Sequence, residues 1–359
     1  MNPAAVQEPI TAKVTPLCPV FGTCGGCAYQ DLPYEAELRV KENNLRQLLK
    51  NSLGIADEIV ERITPSPKEY HYRQRLDIAL RRSKGQVLMG FHSPLIKRMV
   101  PIDSCPIALP QVSNFIPQLR EEAIRKFPAD YRTANLVVRS GDDGRVLWGG
   151  IGRRSLELKP ADYLWTEIEG RRIFYSLETF FQANLSILPE FIRQLRVLAN
   201  LDRETLFLDL YAGVGLFGLC LSDQAGRVVM VEDNPGSVNL AKYNIAYHQL
   251  KNAEIRLGRV EEELPRLGEE NIRGQVLKPV PKKVVAMIDP PRGGLSAQVA
   301  EALSSTRTID SLFYLSCHPD SLVRDLAIFL KKGWRIEKLL PFDFFPRTQH
   351  VETLALLKR

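Results

Sequence analysis

Three cysteines crowd into ten residues near the start of the chain, in 18-CPVFGTCGGC-27. Cys18, Cys24 and Cys27 stand at C-x5-C-x2-C spacing. In a reducing compartment such a cluster suits a metal better than disulfides, but three thiols leave a four-coordinate site one ligand short. Further along, 209-DLYAGVGLFG-218 places Gly213, Gly215 and Gly218 at G-x-G-x-x-G spacing, where a strand turning into a helix lets backbone approach a ligand. The next apolar run ends in Glu232 and Asp233, and an acid there can accept hydrogen bonds from two ribose hydroxyls. NAD and S-adenosylmethionine both fit this pattern, and a plain strand-to-helix turn with a satisfied acid fits it too.

A third motif separates the cofactors. In 289-DPPRGGL-295 the carboxylate of Asp289 precedes two prolines, a rigid and amide-poor turn associated with base-modifying methyltransferases and not required by NAD enzymes. The following apolar run ends in 315-LSCHP-319, which sets Cys317 one strand away from Asp289. A free cysteine is ordinarily a small buried hydrophobe, as expected for Cys220, but Cys317 sits where a nucleophile would. C5 of uracil is too weak a nucleophile to take a methyl group directly. A thiolate added at C6 turns the ring into an enolate that can, and a base must then remove the C5 proton. Glu352, in 350-HVET-353, is the candidate base, with an exposed strand carboxylate as the plainer alternative.

These residues need a sheet edge to converge on. From TLFLDLYA onward, apolar β-branched runs alternate with helical segments, which predicts an α/β fold with a parallel sheet buried on both faces and ligands beyond the C-terminal strand ends. The last strand reaches that edge if it runs antiparallel. Between Tyr72 and about Tyr175 the pattern is instead short alternating runs separated by KG, GDDG and Pro signals, read as strands and hairpins. Residues 31–49 read as one amphipathic helix, and SLETFFQANLSILPEFIRQLRVLAN reads as helical. The expected boundary lies near residue 175, dividing the chain into 1–175 and 176–359, with the 31–50 helix able to pack on the second part.

The chain of 359 residues, 45% apolar, can build about two cores. Its start lacks a basic stretch followed by an apolar run, and no segment approaches the ~20 apolar residues of a membrane span, so a cytoplasmic chain without membrane or evident protein partner is expected. The net charge of +6 is unevenly placed: residues 62–100 hold nine Lys/Arg against Glu69 and Asp77. Interleaved with Tyr70, His71, Tyr72 and Phe91, this strip offers cations for phosphates and rings for unstacked bases, although a solvated charged face reads the same way.

Taken in order, 18-CPVFGTCGGC-27, 71-HYRQR-75, 103-DSCPI-107, 179-TFFQAN-184, 209-DLYAGVG-215, 289-DPPRGGL-295, 315-LSCHP-319 and 345-FPRTQHVET-353 resemble the iron-sulfur branch of the RNA uridine-5-methyltransferases over nearly the whole chain. The resemblance implies a Rossmann-like S-adenosylmethionine-dependent methyltransferase domain preceded by a smaller, mixed, β-rich iron-sulfur and RNA-binding domain. It supplies Cys105 as the fourth ligand, so that Cys18, Cys24, Cys27 and Cys105 would hold a [4Fe-4S] cluster, with a four-cysteine zinc site as the alternative. It also implies that Gln182, Tyr211, Glu232 and Asp289 contact S-adenosylmethionine beside the Gly213 and Gly215 turn. Cys317 would be the nucleophile and Glu352 the base. The RNA would be 23S ribosomal RNA, with a transfer RNA uridine as the alternative. Two positions depart from the family pattern: His318 stands where asparagine is usual, and Leu216 where a polar residue is common. Only 17 residues precede Cys18, too few for the small N-terminal β-barrel of many relatives. Rival readings are a methyltransferase for another RNA base, against which Arg292 stands where RNA cytosine-5 enzymes place a cysteine, a cluster-bearing NAD enzyme, and a non-catalytic RNA-binding module.

Overall fold

The computed structural model describes residues 13–83, 86–127, 132–151, 159–273 and 281–359. After the cysteine segment comes α1 (Tyr34–Leu53), three residues later at its start than the sequence pattern suggests because Pro33 occupies its N-cap. Gly54 ends it at φ +65, a left-handed cap that costs glycine little, with its N–H returning to the Lys50 carbonyl. Next are β1 (Arg75–Ser83), β2 (Gln86–His92), β3 (Met99–Pro101), α2 (Pro110–Asn114), α3 (Ile116–Lys126), β4 (Thr133–Ser140) and β5 (Val146–Ile151). These five strands form one antiparallel sheet in the order β3-β2-β1-β4-β5. Leu76, Ile78 and Leu80 alternate onto one face of it and pack with Val112, Ile116 and Leu119 of the short helices, which is how a half-solvated sheet closes its core. A two-stranded hairpin, β6 (Leu164–Ile168) and β7 (Arg171–Tyr175), and α4 (Leu188–Ala199) follow.

The remainder is β8 (Thr205–Leu210), α5 (Leu216–Leu221), β9 (Arg227–Glu232), α6 (Pro235–Tyr247), β10 (Ala253–Leu257), α7 (Val260–Arg273), β11 (Lys283–Ile288), α8 (Ala297–Ser305), β12 (Ser311–Ser316), α9 (Pro319–Lys331), β13 (Arg335–Phe342) and β14 (Glu352–Lys358). Its strands lie in one sheet in the order β10-β9-β8-β11-β12-β14-β13, a Rossmann-like arrangement whose order reverses between β8 and β11. All neighbours are parallel except β14, which is antiparallel to both β12 and β13. Both faces are apolar. Phe207, Met230, Met287 and Phe313 meet α4 through Phe191 and Leu195, whereas Leu206, Leu208, Ala286 and Leu312 meet α8 and α9 through Leu303 and Phe329. Leu45 and Leu49 of α1 belong to that second core.

The helical reading from Ser176 onward holds only for α4. Residues 176–187 are irregular because other parts of the chain take their carbonyls: buried Arg139 donates to the oxygens of Ser176 and Thr179, both at 2.7 Å, and Gln74 Nε2 donates to the oxygen of Gln182 at 2.6 Å. A helix would use those acceptors internally.

Candidate active site

The sheet brings the chemically able residues to one edge. Tyr211, Asp289 and Cys317 directly follow β8, β11 and β12, Glu232 ends β9, and the antiparallel β14 starts at the same edge with Glu352. The β12–β14 ladder pairs Leu315 with Leu354 and Ser316 with Thr353, so the next positions across the gap are Cys317 and Glu352. The order of charges acting on the thiol agrees: burial and then the Glu352 and Asp289 carboxylates push Cys317 up to about 12, with Arg292 opposing them. Glu352 is 4% exposed, and its Oε2 has no hydrogen-bond partner. Burial, then Asp289, hold its carboxyl well above the usual range. Asp289, raised to about 7 by burial, accepts from Gln182 Nε2 at 2.9 Å. Three acids therefore crowd one rim where protonated forms are favoured, and a cation arriving there would shift all of them toward ionisation.

The glycine loop lies beside them. Gly213 (φ +55) has nothing within 4 Å of where a Cβ would be, and its N–H donates to Glu232 Oε2 at 2.9 Å. Glu232 Oε1 accepts from the N–H of Asn234, so the carboxylate is held at the rim of an open backbone turn, as a nucleoside-binding acid must be. Gly215 (φ +90) and Gly218 pack their backbones on β9, where a Cβ would meet Met230 at 2.9 and 2.8 Å. Tyr211 takes φ +64, unusual for a non-glycine residue. One residue here escaped the sequence reading: Asp209, buried beneath the loop. Its Oδ2 accepts from the Gly218 N–H at 2.7 Å, its Oδ1 has no partner, and burial raises it to about 7. It opens the DLYAGVG run, but nothing in its spacing separates it from the hydrophobic strand that carries it. An open turn, an orphaned acid below it and a held acid at its rim fit the nucleoside and amino-acid ends of S-adenosylmethionine.

Cys18, Cys24, Cys27 and Cys105 line a single cavity of about 290 Å³, together with Val20, Phe91 and Ile102. Cys105 is brought there from the loop after β3 and donates its backbone N–H to Ser113 Oγ at 2.9 Å. Among the described residues, no three His, Cys, Asp or Glu side chains are placed to hold one metal ion. Burial, with the charges of neighbouring cysteines adding to it, raises Cys27 to about 12 and Cys105 to about 11. Four cysteines around one cavity are the donor type of an iron-sulfur cluster or of a four-cysteine zinc site.

The basic strip is partly occupied by the fold. Arg75 pairs with Asp77 at 2.8 Å, and Arg82 donates to the carbonyls of Ile124 and Phe127 at the end of α3, both at 3.0 Å. Lys84 lies outside the described residues. Of the two departures, Leu216 is buried at the start of α5, and His318 is the N-cap of α9 with Nδ1 3.4 Å from Ser321 Oγ.

A family model described as tRNA (Uracil-5-)-methyltransferase matches residues 154–359. The chain belongs to this family. Its activity is that of an RNA uracil-5-methyltransferase using S-adenosylmethionine. Among relatives, an uncharacterized RNA methyltransferase of Aquifex aeolicus (strain VF5) is 28% identical over 374 residues, covering 95% of this chain and 83% of its own. The 23S rRNA (uracil(1939)-C(5))-methyltransferase RlmD of Aliivibrio fischeri (strain ATCC 700601 / ES114) is 25% identical over 377 residues, covering 97% and 83%. Among solved structures, the Pyrococcus abyssi tRNA (uracil-54, C5)-methyltransferase in complex with S-adenosyl-L-homocysteine superposes with a TM-score of 0.69 at 23% identity, covering 92% of this chain and 85% of that one, a likeness of fold. No helix among the described residues is long and apolar enough to cross a membrane.

Proposed function

We propose that the protein methylates C5 of one uridine in 23S ribosomal RNA, with Cys317 as nucleophile and Glu352 as general base. The observation that carries this reading is the pair of positions beyond the last β12–β14 ladder contact, which sets a thiol and a carboxyl side by side at the cofactor edge. Ribosomal RNA is favoured by the RlmD relative, whose match spans 97% of this chain.

The target base must leave its stack to reach the edge, at a cost of a few kcal/mol. The Cys317 thiol gives its proton to solvent and the sulfur adds to C6, sending the C5–C6 electron pair toward an enolate. S-adenosylmethionine supplies an electrophilic methyl group on a cationic sulfonium, for which C5 is now a competent acceptor. Glu352 then takes the C5 proton, the pair re-forms the C5–C6 double bond, and the C6–S bond breaks to free Cys317. With its proton favoured by burial, Cys317 rests as a thiol. Arg292 and a cationic ligand act in the same direction, toward thiolate and carboxylate. Gln182 holds Asp289 in place at the rim.

The four cysteines around one cavity support a [4Fe-4S] cluster held by Cys18, Cys24, Cys27 and Cys105. Anaerobically purified protein should contain about four irons and four sulfides per chain; stoichiometric zinc without iron would remove the cluster. The substrate is tested by mapping 5-methyluridine in RNA from a strain lacking the gene. Loss of one 23S site is expected, and loss of a transfer RNA site alone would replace ribosomal RNA as substrate.

A further inference from the structure

The connection between β13 and β14 leads directly into Glu352, and the N-terminal segment grips it at two points. Asp343 accepts from Tyr34 Oη and from Lys41 Nζ, both at 2.8 Å, and Lys41 also pairs with Glu37 at 2.7 Å and donates to the Phe345 carbonyl at 3.1 Å. Arg347 is the second point. It is 4% exposed and takes φ +69, a left-handed conformation that a non-glycine side chain adopts only when its surroundings fix it. Its carbonyl accepts from the N–H groups of Ala28 at 2.8 Å and Tyr29 at 3.1 Å, immediately after Cys27. Its N–H donates to Glu37 Oε1 at 2.6 Å. Its guanidinium donates to the Leu32 carbonyl at 2.7 Å, pairs with Glu69 and lies 4.8 Å from the Tyr70 ring centre. Beyond it, Thr348 Oγ1 accepts from the His350 N–H at 3.2 Å, and the His350 ring meets Arg292 at 3.3 Å.

We infer that Arg347 is a positioning residue for the general base: it fixes the β13–β14 connection to the cysteine segment, and so sets where Glu352 stands relative to C5. None of its contacts reaches the edge where Cys317, Asp289 and the glycine loop lie. Its influence therefore falls chiefly on the late step, in which the C5–H bond breaks, the proton passes to Glu352, the C5–C6 double bond re-forms and sulfur leaves C6, and only the His350–Arg292 contact at 3.3 Å leads from this connection toward Cys317. A displacement of about 1 Å at a reacting group costs on the order of a hundredfold in rate. The inference rests on Glu352 being the base.

The test compares Arg347→Met and Arg347→Lys with wild type and with Glu352→Gln on the same RNA. Fluorine at C5 cannot be removed as a proton, so 5-fluorouridine RNA reports the steps before the base acts. Both Arg347 variants should form that adduct at a rate within about twofold of wild type and keep KM for RNA within about twofold. On ordinary RNA, turnover of Arg347→Met should fall on the order of tenfold to a hundredfold with methyl-bearing covalent adduct accumulating, and Arg347→Lys should lie between it and wild type. If adduct formation and turnover fall together, or neither changes, Arg347 does not position the base. If Glu352→Gln itself turns over without accumulating adduct, the base assignment fails instead. Should Arg347→Met not fold, Glu69→Gln weakens the same grip from its half-exposed partner, and the same readouts decide.

Discussion

Asp209→Asn removes a titration that the fold places under the glycine loop. The Asp209 carboxyl is raised from an ordinary 3.8 to about 7, chiefly by burial, with the Gly218 N–H pulling the other way and Asp289 and Glu232 adding repulsion. Below its unfolded pKa both states carry the proton and the group is indifferent to pH. As pH rises toward 7 the unfolded chain releases its proton while the native state keeps it, so native stability falls through this window and levels off above it. Between about pH 5 and about pH 7 this amounts to two pKa units, or about 3 kcal/mol. Asparagine can still accept from Gly218 through its side-chain oxygen and has no proton to release. The assay is urea denaturation of the ligand-free proteins at about pH 5 and about pH 8, because groups common to both cancel in the difference. The stability of Asp209→Asn relative to wild type should rise by about 3 kcal/mol across that range. A difference that stays flat, or that moves against the variant as pH rises, would refute the argument.

Two further substitutions probe the frame of the site. Gly215→Ala places a Cβ 2.9 Å from the Met230 sulfur at φ +90, so calorimetry should show weakened S-adenosylmethionine binding and denaturation a loss of about 1–3 kcal/mol. Lys41→Met leaves the buried Glu37 and Asp343 carboxylates without their cation and should destabilise by about 3–5 kcal/mol, read as a lower urea midpoint. Because Glu37 is raised to about 7, mainly by burial, that loss should be larger above pH 7, where its carboxylate ionises.

The catalytic sheet was largely legible because its strands are apolar on both faces: all six residues of TLFLDL and of SLFYLS are buried, a pattern few other arrangements produce. The antiparallel last strand was anticipated for a chemical reason, since only that direction delivers Glu352 to the edge holding Cys317. Helices α7 and α8 left little trace, the first carrying Pro265 and a run of acids, the second only nine residues long. Residues 176–187 misled because their carbonyls go to Arg139 and Gln74, partners separated from them by 35 or more residues that local periodicity cannot register. The same limit hid the site's supports. Spacing alone does not join Cys105 to the trio, a link that only the family resemblance supplied, the orphaned Oδ1 of Asp209 is invisible in a strand sequence, and the contacts of Arg347 run to residues 28–37 and 69–70. Charge counting found the basic strip but could not tell that Arg75 and Arg82 are engaged by the fold.

The central claim is a transient bond between one sulfur and C6 of the target uridine. The direct measurement is to trap the protein on 5-fluorouridine RNA with S-adenosylmethionine, digest it, and locate the nucleotide-bearing peptide by mass spectrometry. The nucleotide is expected on the peptide containing Cys317, carrying the added methyl group, and absent from a Cys317→Ala variant that still binds RNA. A methylated product formed at the wild-type rate by Cys317→Ala, or a nucleotide bound to any other residue, would contradict the account.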